Sequence, residues 1–130
     1  MYLIDTSVWI DFFKGELEDK LKNQILSYIE NDEIYYNGII LSELLIGTKS
    51  KKEKKLIQDN FDGFHYLPMI LEDFKQLSKT GNKLLKKGIT IPLTDLIIFY
   101  HTLNYNLMII TKDKHFKLIF TVEKFKLLYI

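Results

Sequence analysis

Four acidic residues have types and positions suited to metal-assisted chemistry, and they are spread over most of the chain: Asp5, Glu43, Asp95 and Asp113. Asp5 ends an apolar run over residues 1–4, and Asp113 closely follows a second run over residues 107–111. Both runs are typical of buried strands. Because the carboxyl ends of parallel strands open on one crevice, we expect Asp5 and Asp113 to emerge from the same edge of a sheet.

Carboxylates are the ligands that hard divalent cations such as Mg²⁺ and Mn²⁺ prefer, with coordination positions left open for a substrate phosphate. Such an ion activates water, polarises the phosphoryl group and stabilises the leaving oxygen. The sequence therefore predicts phosphodiester hydrolysis, with all four acidic residues as both catalytic and metal-binding groups.

Each acid must be weighed against an ordinary structural explanation. Asp95 alone would be a helix cap, and Asp113 alone would be a turn residue in a polar loop. Glu43 is harder to explain in this way, because it lies among isoleucines and leucines and is costly to bury unpaired. The compatible placement of all four acids at once favours a shared site.

The elements that would position these acids follow from the apolar pattern. A strand over residues 2–5 leads into a helix that Thr6 or Ser7 caps and Gly15 ends. The helix over 38–47 is apolar nearly all round apart from Ser42 and Glu43, which predicts a buried helix. Further helices are expected over 16–31, 49–60, 70–87 and 95–103, and further strands over 34–36, 64–67, 107–111 and 125–130.

Strands that alternate with helices predict an α/β fold. We expect a three-layer α/β/α sandwich with a mainly parallel central sheet of about five strands. With 130 residues and no linker or repeat, the chain is expected to form one domain over residues 1–130.

Composition excludes several classes of site. The absence of cysteine rules out disulfides, thiolate zinc sites and cysteine nucleophiles. The absence of arginine removes bidentate recognition of bases, although lysine still neutralises phosphate. No apolar stretch reaches the ~20 residues that span a bilayer, and no signal peptide is evident, so we expect a soluble, cytoplasmic protein without membrane association.

Lys112 and Lys114 flank one of the proposed ligands and are candidate RNA contacts, because phosphate contacts supply most sequence-independent affinity. His115 is a further candidate next to the substrate, although packing at a turn is the simpler interpretation. The other lysine clusters are more simply explained as solvated helix faces.

Four segments of the chain resemble the PIN-domain family and, within it, the VapC-like toxins. They are residues 2–11, 41–47, 91–98 and 110–116, and their order and spacing agree with the family over essentially the whole chain. The helix after Asp95 departs from the family pattern, which often has small residues where this chain has Phe99, Tyr100 and His101.

The resemblance implies a PIN-like fold and an Mg²⁺- or Mn²⁺-dependent endoribonuclease with the four acids as its site. It implies that Thr111, together with Thr6 or Ser7, supports the ligands through hydrogen bonds. It also implies a cognate antitoxin that occupies the groove, and a homodimer.

Other functions require different patterns. A receiver domain needs adjacent acids after the first strand, and an aspartyl-phosphate phosphatase needs a second acid two residues after Asp5, where this chain has Ser7. The remaining rival is a non-catalytic PIN-like module that binds metal, RNA or a partner without turnover.

Overall fold

The computed structural model describes residues 1–130 as seven helices and five strands. The strands are β1 Tyr2–Ile4, β2 Ile34–Asn37, β3 His65–Leu67, β4 Met108–Thr111 and β5 Leu127–Tyr129. The helices are α1 Thr6–Lys14, α2 Asp19–Glu30, α3 Gly38–Ile46, α4 Lys51–Phe61, α5 Leu71–Lys86, α6 Leu93–Asn104 and α7 Lys114–Val122. The predicted α/β fold is confirmed, and α7 is a helix that the sequence pattern did not predict.

The five strands form one sheet in the order β3-β2-β1-β4-β5, and every neighbouring pair is parallel. From β1 the chain moves outward to β2 and β3, then crosses back to β4 and continues to β5. Right-handed crossovers therefore place α1–α4 on one face of the sheet and α5–α7 on the other, which gives the expected three layers. The direction of winding reverses between β1 and β4.

The central strand β1 and its neighbour β4 are buried on both faces. Leu3 and Ile4 of β1, and Ile109 and Ile110 of β4, are fully inaccessible to solvent. This explains why both strands read as continuous apolar runs rather than as alternating patterns. Their rigid ends fix the backbone from which the first and last acidic residues emerge.

Helix α1 begins one or two residues earlier than predicted. Asp5 itself is the N-cap, with an extended backbone at φ −68° and ψ 153°, and it accepts a hydrogen bond from the Thr6 backbone N–H. Thr6 and Ser7 are already helical, so the prediction that one of them caps this helix is wrong. Gly15 ends the helix as expected, in a left-handed conformation at φ 72°.

Helix α3 is not buried all round. Ile40 and Leu44 face the core, whereas Ser42 and Glu43 are exposed and 84% of the Ile46 surface is accessible to solvent. Helices α1 and α4 pack against α3 and leave one of its faces open. The prediction of a buried Glu43 is therefore wrong, because the apolar residues on the outer face are not covered by any other element.

The aromatic residues of α6 that depart from the family pattern fill specific positions. Phe99 is fully buried and packs edge-on against Phe125, with ring centroids 4.9 Å apart. The Tyr100 hydroxyl donates a 2.6 Å hydrogen bond to Asp73 at the start of α5. His101 is fully buried at the boundary between α6 and β2. No helix of the structure combines the length and the apolar character needed to cross a membrane.

Candidate metal centre at the switch point

Asp5 and Asp113 come together because the strands that precede them pair directly. Ile4 of β1 lies opposite Ile110 of β4, and the Asp5 backbone N–H donates a 2.9 Å hydrogen bond to the Ile110 carbonyl. Both residues follow the carboxyl ends of their strands, where the winding of the sheet reverses. This is the place in an open α/β sheet where a ligand-binding crevice forms.

The Asp5 carboxylate is held by three donors. The Thr6 backbone N–H binds Oδ1 at 2.9 Å, while the hydroxyls of Ser7 and Thr111 bind Oδ2 at 2.9 and 2.8 Å. Only 4% of the Asp5 surface is exposed. Burial raises the pKa of Asp5 above its ordinary value, and the three hydrogen bonds offset part of that rise.

Two hydroxyl groups join Asp5 to the segment that carries Asp113. The Thr111 hydroxyl donates to Asp5 and accepts a 2.9 Å hydrogen bond from the Asp113 backbone N–H. The Ser7 hydroxyl donates to Asp5 and accepts from the Lys112 backbone N–H at 3.3 Å. The position of one carboxylate is therefore coupled to the other through short side chains with few rotamers.

Asp95 and Asp113 face each other across the side chain of His115. His115 Nδ1 lies 2.8 Å from Asp95 Oδ2 and 3.1 Å from Asp113 Oδ1. Asp95 lies in the first turn of α6 and makes no capping hydrogen bond, whereas Asp113 is the N-cap of α7 and accepts from the His115 backbone N–H at 2.9 Å. One donor atom from each of the three residues lies within 4.8 Å of the others.

The charge of Asp95 is unfavourable in this position. Burial raises the pKa of Asp95 to about 6, and the nearby charges of Asp113 and Asp5 act in the same direction. The hydrogen bond from His115 offsets part of the rise. A cation between these carboxylates would remove the repulsion among them.

Glu43 reaches the same cluster from α3 through a hydroxyl group. The Thr6 hydroxyl donates a 3.0 Å hydrogen bond to Glu43 Oε1, and the Thr6 backbone N–H binds Asp5. Glu43 is exposed and lies at the rim of the site rather than at its buried end. All four acids thus lie in one region, with Glu43 linked indirectly.

The two lysines beside Asp113 differ in their environments. The Lys112 ammonium forms an ion pair with Asp11 of α1. Lys114 is exposed at the start of α7, and its side chain forms no hydrogen bond or ion pair within the protein. Of the two, Lys114 has the ammonium that is free to meet a phosphate.

Sequence reasoning missed three features around the site. It gave no central place to His115, because the helix that orients the ring was not predicted. It assigned no role to Asp11, and no local pattern indicates a partner so distant along the chain. Asn37 caps α3 by accepting a 3.0 Å hydrogen bond from the Ile40 backbone N–H. An asparagine between a strand and a helix is a recognisable capping signal.

The residues present suit a hard divalent cation. The site offers the carboxylates of Asp95 and Asp113 beside one imidazole nitrogen, with Asp5 close enough for its charge to raise the pKa of Asp95 and with a glutamate at the rim. Carboxylate oxygens are the ligands that Mg²⁺ and Mn²⁺ prefer, and Mn²⁺ also accepts imidazole. Asp95 and Asp113 have the geometry to bind one ion directly.

Comparisons with known proteins agree over the length of the chain. The profile of the PIN domain matches residues 2–119. The chain is 31% identical over 129 residues to a protein named Ribonuclease VapC from Rickettsia bellii (strain RML369-C), and the alignment covers 93% of this chain and 92% of that protein.

Solved structures of toxin–antitoxin complexes share the fold. VapBC2 from Rickettsia felis, bound to a DNA fragment from its promoter, matches with a TM-score of 0.76 at 22% identity and covers 99% of this chain and 98% of that one. DNA-bound VapBC from Salmonella typhimurium gives a TM-score of 0.80 at 16% identity, with 98% and 96% covered. VapBC-1 from nontypeable Haemophilus influenzae gives 0.77 at 22% identity, also with 98% and 96% covered.

Proposed function

Because this chain belongs to the PIN-domain family, we propose that it is an endoribonuclease and the toxin of a toxin–antitoxin pair. The observation that carries the proposal is the convergence of Asp5, Asp95 and Asp113 at the switch point of the sheet. The likeness to a protein named Ribonuclease VapC over almost the whole of both chains supports RNA as the substrate.

We propose that the site uses Mg²⁺ or Mn²⁺, held by Asp95 and Asp113 with Asp5 and Glu43 nearby. When bound, the cation would activate water and stabilise the charge of the departing oxygen. The three hydrogen bonds on Asp5 hold this carboxylate in one orientation before substrate arrives. The Thr111 hydroxyl also accepts a hydrogen bond from the Asp113 backbone N–H, which links the position of Asp113 to that of Asp5.

The substrate backbone would approach over the start of α7. Lys114 is exposed there and has no partner within the protein, so its ammonium is placed to neutralise a phosphate. Lys112 is already paired with Asp11. It would bind a phosphate either by leaving this ion pair or by sharing its ammonium between Asp11 and the phosphate. The chain has no arginine, so these contacts favour backbone binding over recognition of base edges.

An antitoxin segment has a suitable docking surface beside the site. A groove lies between α1, α3 and α4, and Glu43 is one of the residues that line it. Its apolar lining residues are Ile10, Phe13, Leu44, Leu56 and Ile57. A segment lying there would reach the rim of the acidic cluster and exclude RNA from it. The structural neighbours crystallised with antitoxins support a partner of this kind, and the homodimer stays a prediction.

The test is cleavage of total RNA by the purified protein in Mg²⁺ or Mn²⁺, with the cut ends mapped by sequencing. We expect specific cuts that EDTA abolishes and that Asp95→Asn reduces by more than about 100-fold. The matched control is Asp59→Asn, which alters an exposed aspartate paired with Lys55 on α4 and should leave the cuts intact.

The chemistry of the ends gives a second criterion. Attack by water should leave a 5′-phosphate and a 3′-hydroxyl, whereas cyclic phosphate ends would show attack by the ribose 2′-hydroxyl and contradict the proposed mechanism. If Asp95→Asn cleaved RNA as well as wild type does, the acidic cluster would not be required for the reaction. No cutting by metal-loaded protein would favour the non-catalytic binding module.

A further inference from the structure

His115 lies between two members of the acidic cluster, Asp95 and Asp113. We propose that Nδ1 of His115 is a ligand of the divalent cation, together with Asp95 and Asp113, and that this nitrogen makes the site prefer Mn²⁺ to Mg²⁺. The proposal rests on the proposed function, because it assigns a ligand and a metal preference to the same site.

The separations among the three donor atoms suit a shared ion. His115 Nδ1 is 2.8 Å from Asp95 Oδ2 and 3.1 Å from Asp113 Oδ1. Neighbouring ligands of an octahedral ion with bonds of about 2.1 Å lie roughly 3 Å apart. The imidazole therefore already stands next to both carboxylates at the spacing of adjacent positions in a coordination shell.

Contacts from two helices hold the ring in this place. Asp113 caps α7 by accepting the His115 backbone N–H at 2.9 Å, and the same Oδ1 lies 3.1 Å from His115 Nδ1. The side chain of His115 is about two-thirds buried, at 32% exposure, and Asp95 approaches it from α6. A ring held from two helices loses little freedom when an ion binds.

In the structure, His115 Nδ1 contacts Asp95 Oδ2 at 2.8 Å, and its role as donor or acceptor depends on the ring tautomer. Cation binding requires the neutral tautomer with its hydrogen on Nε2, because Nδ1 must offer its lone pair to the ion. An ion with bonds of about 2.1 Å to Nδ1 and to Asp95 Oδ2 cannot lie on the 2.8 Å line that joins these atoms, so it would lie to one side of that line. Ligation therefore replaces the direct contact between His115 and Asp95 with a bond from each residue to the ion.

The type of ligand atom determines which of the two ions binds more tightly. Mg²⁺ favours oxygen ligands and keeps several waters, whereas affinity for imidazole rises from Mn²⁺ along the first transition row. A site of carboxylates alone treats Mg²⁺ and Mn²⁺ similarly. One nitrogen ligand raises the affinity for Mn²⁺ without a corresponding gain for Mg²⁺.

The other two histidines have no such position. His65 is partly buried and lies 3.2 Å from Asp32, and His101 is buried against Asn37. His65 therefore serves as a matched control, since it is also a histidine paired with an aspartate but is not part of the acidic cluster.

The experiment measures binding of Mn²⁺ and of Mg²⁺, without RNA, to the wild-type protein and to His115→Asn, His115→Asp and His65→Asn by calorimetry. We expect His115→Asn to weaken Mn²⁺ binding at least about 10-fold while Mg²⁺ binding changes much less. His115→Asp should bind both ions with a lower preference for Mn²⁺. His65→Asn should behave as wild type.

Pulsed electron paramagnetic resonance on bound Mn²⁺ gives a direct readout of the ligand. We expect a coupling to ¹⁴N in the wild-type protein and in His65→Asn, and none in His115→Asn. Mn²⁺ binding without nitrogen coupling in the wild-type protein would overturn the role of His115 and leave the nuclease proposal standing. Unchanged Mn²⁺ affinity in His115→Asn with a raised KM for RNA would make His115 an RNA contact and likewise overturn it.

Failure of the proposed function has a different signature. If the wild-type protein bound neither ion, or if Asp95→Asn cut RNA normally, the proposal of a metal site would be contradicted as a whole. The binding and resonance measurements use no RNA, so they separate a wrong ligand assignment from a wrong activity.

Discussion

The raised pKa of Asp95 shows that its negative charge is destabilised in the cluster when no cation is bound. Burial and the charges of Asp113 and Asp5 raise its pKa to about 6. In the unfolded chain the same group would hold a proton only below its ordinary value near 4. Between these two values the folded state binds more protons than the unfolded state, so stability falls as the pH rises from about 4 to 6 and stays lower above that range.

Removing this charge should therefore stabilise the metal-free protein. In EDTA at pH 7, we expect Asp95→Asn to be more stable than wild type by about 1–2 kcal/mol, after allowance for partial solvation of the site. The difference should shrink when the pH is lowered to 5, because wild-type Asp95 then becomes protonated. Urea denaturation at the two pH values measures it.

Asp59→Asn is again the control, because Asp59 is exposed in its pair with Lys55 and should give no such pH-dependent difference. Equal stability of Asp95→Asn and wild type at pH 7 would contradict the high electrostatic cost of the cluster.

Individual residues also show where sequence reasoning ends. The strand-end positions of Asp5 and Asp113 follow from apolar runs, and these residues do lie side by side. The exposure of Glu43 could not be predicted, because an all-round apolar helix does not reveal which face its neighbours cover. The pairing of Lys112 with Asp11 depends on how β4 is placed beside α1, which no local pattern encodes.

At the level of elements, Asn37 and His101 join the two helices that carry Glu43 and Asp95. Asn37 Oδ1 caps α3, and Asn37 Nδ2 lies 3.0 Å from His101 Nδ1 on α6. Both side chains are buried, and burial lowers the pKa of His101, which favours the neutral ring. The amide then donates to Nδ1, which places the ring hydrogen on Nε2.

Truncation of Asn37 should loosen this connection. We expect Asn37→Ala to destabilise the protein by about 2–3 kcal/mol, because α3 loses its cap and His101 Nδ1 is left buried without a partner. Urea denaturation measures the change.

The control for this variant is Asn31→Ala, which removes an exposed asparagine whose amide lies 3.5 Å from Ser27. We expect that substitution to change stability by less than about 0.5 kcal/mol. If the two variants proved equally stable, the buried pair would have no stabilising role.

The elements differ in how readily they could be predicted. The helices α2 and α5 have long amphipathic patterns, and both were predicted to within a few residues. Helix α7 is short and buries only Phe116 and Ile119 on its inner face, so the preceding lysines and aspartate read equally well as a loop. Its omission also hid the orientation of His115, because the Asp113 cap exists only if the helix does.

For the whole molecule, the parallel sheet and its switch point explain why distant residues form one site. The alternation of strands and helices predicts the architecture, and the family resemblance predicts the activity. The order of the strands is not encoded in any local pattern, yet it is the adjacency of β1 and β4 that brings the two ends of the site together.

A cation that binds only this assembled site should stabilise the entire fold. We expect Mn²⁺ at about 100 times its Kd to add about 2.7 kcal/mol to the free energy of unfolding and so to raise Tm. Thermal unfolding with Mn²⁺ and with NaCl of equal ionic strength measures the effect. Asp95→Asn should lose most of the shift, and an unchanged wild-type Tm would argue against a shared cation site.

The hydrogen bond between Thr111 and Asp5 joins residues 106 positions apart in the chain. During synthesis, a growing polypeptide that has passed β1, α1 and α3 holds Asp5 and Glu43 but has no counterpart for them. The four acids can converge only after translation has passed residue 113 and β4 has been inserted beside β1. A shorter nascent chain therefore carries an incomplete acidic cluster.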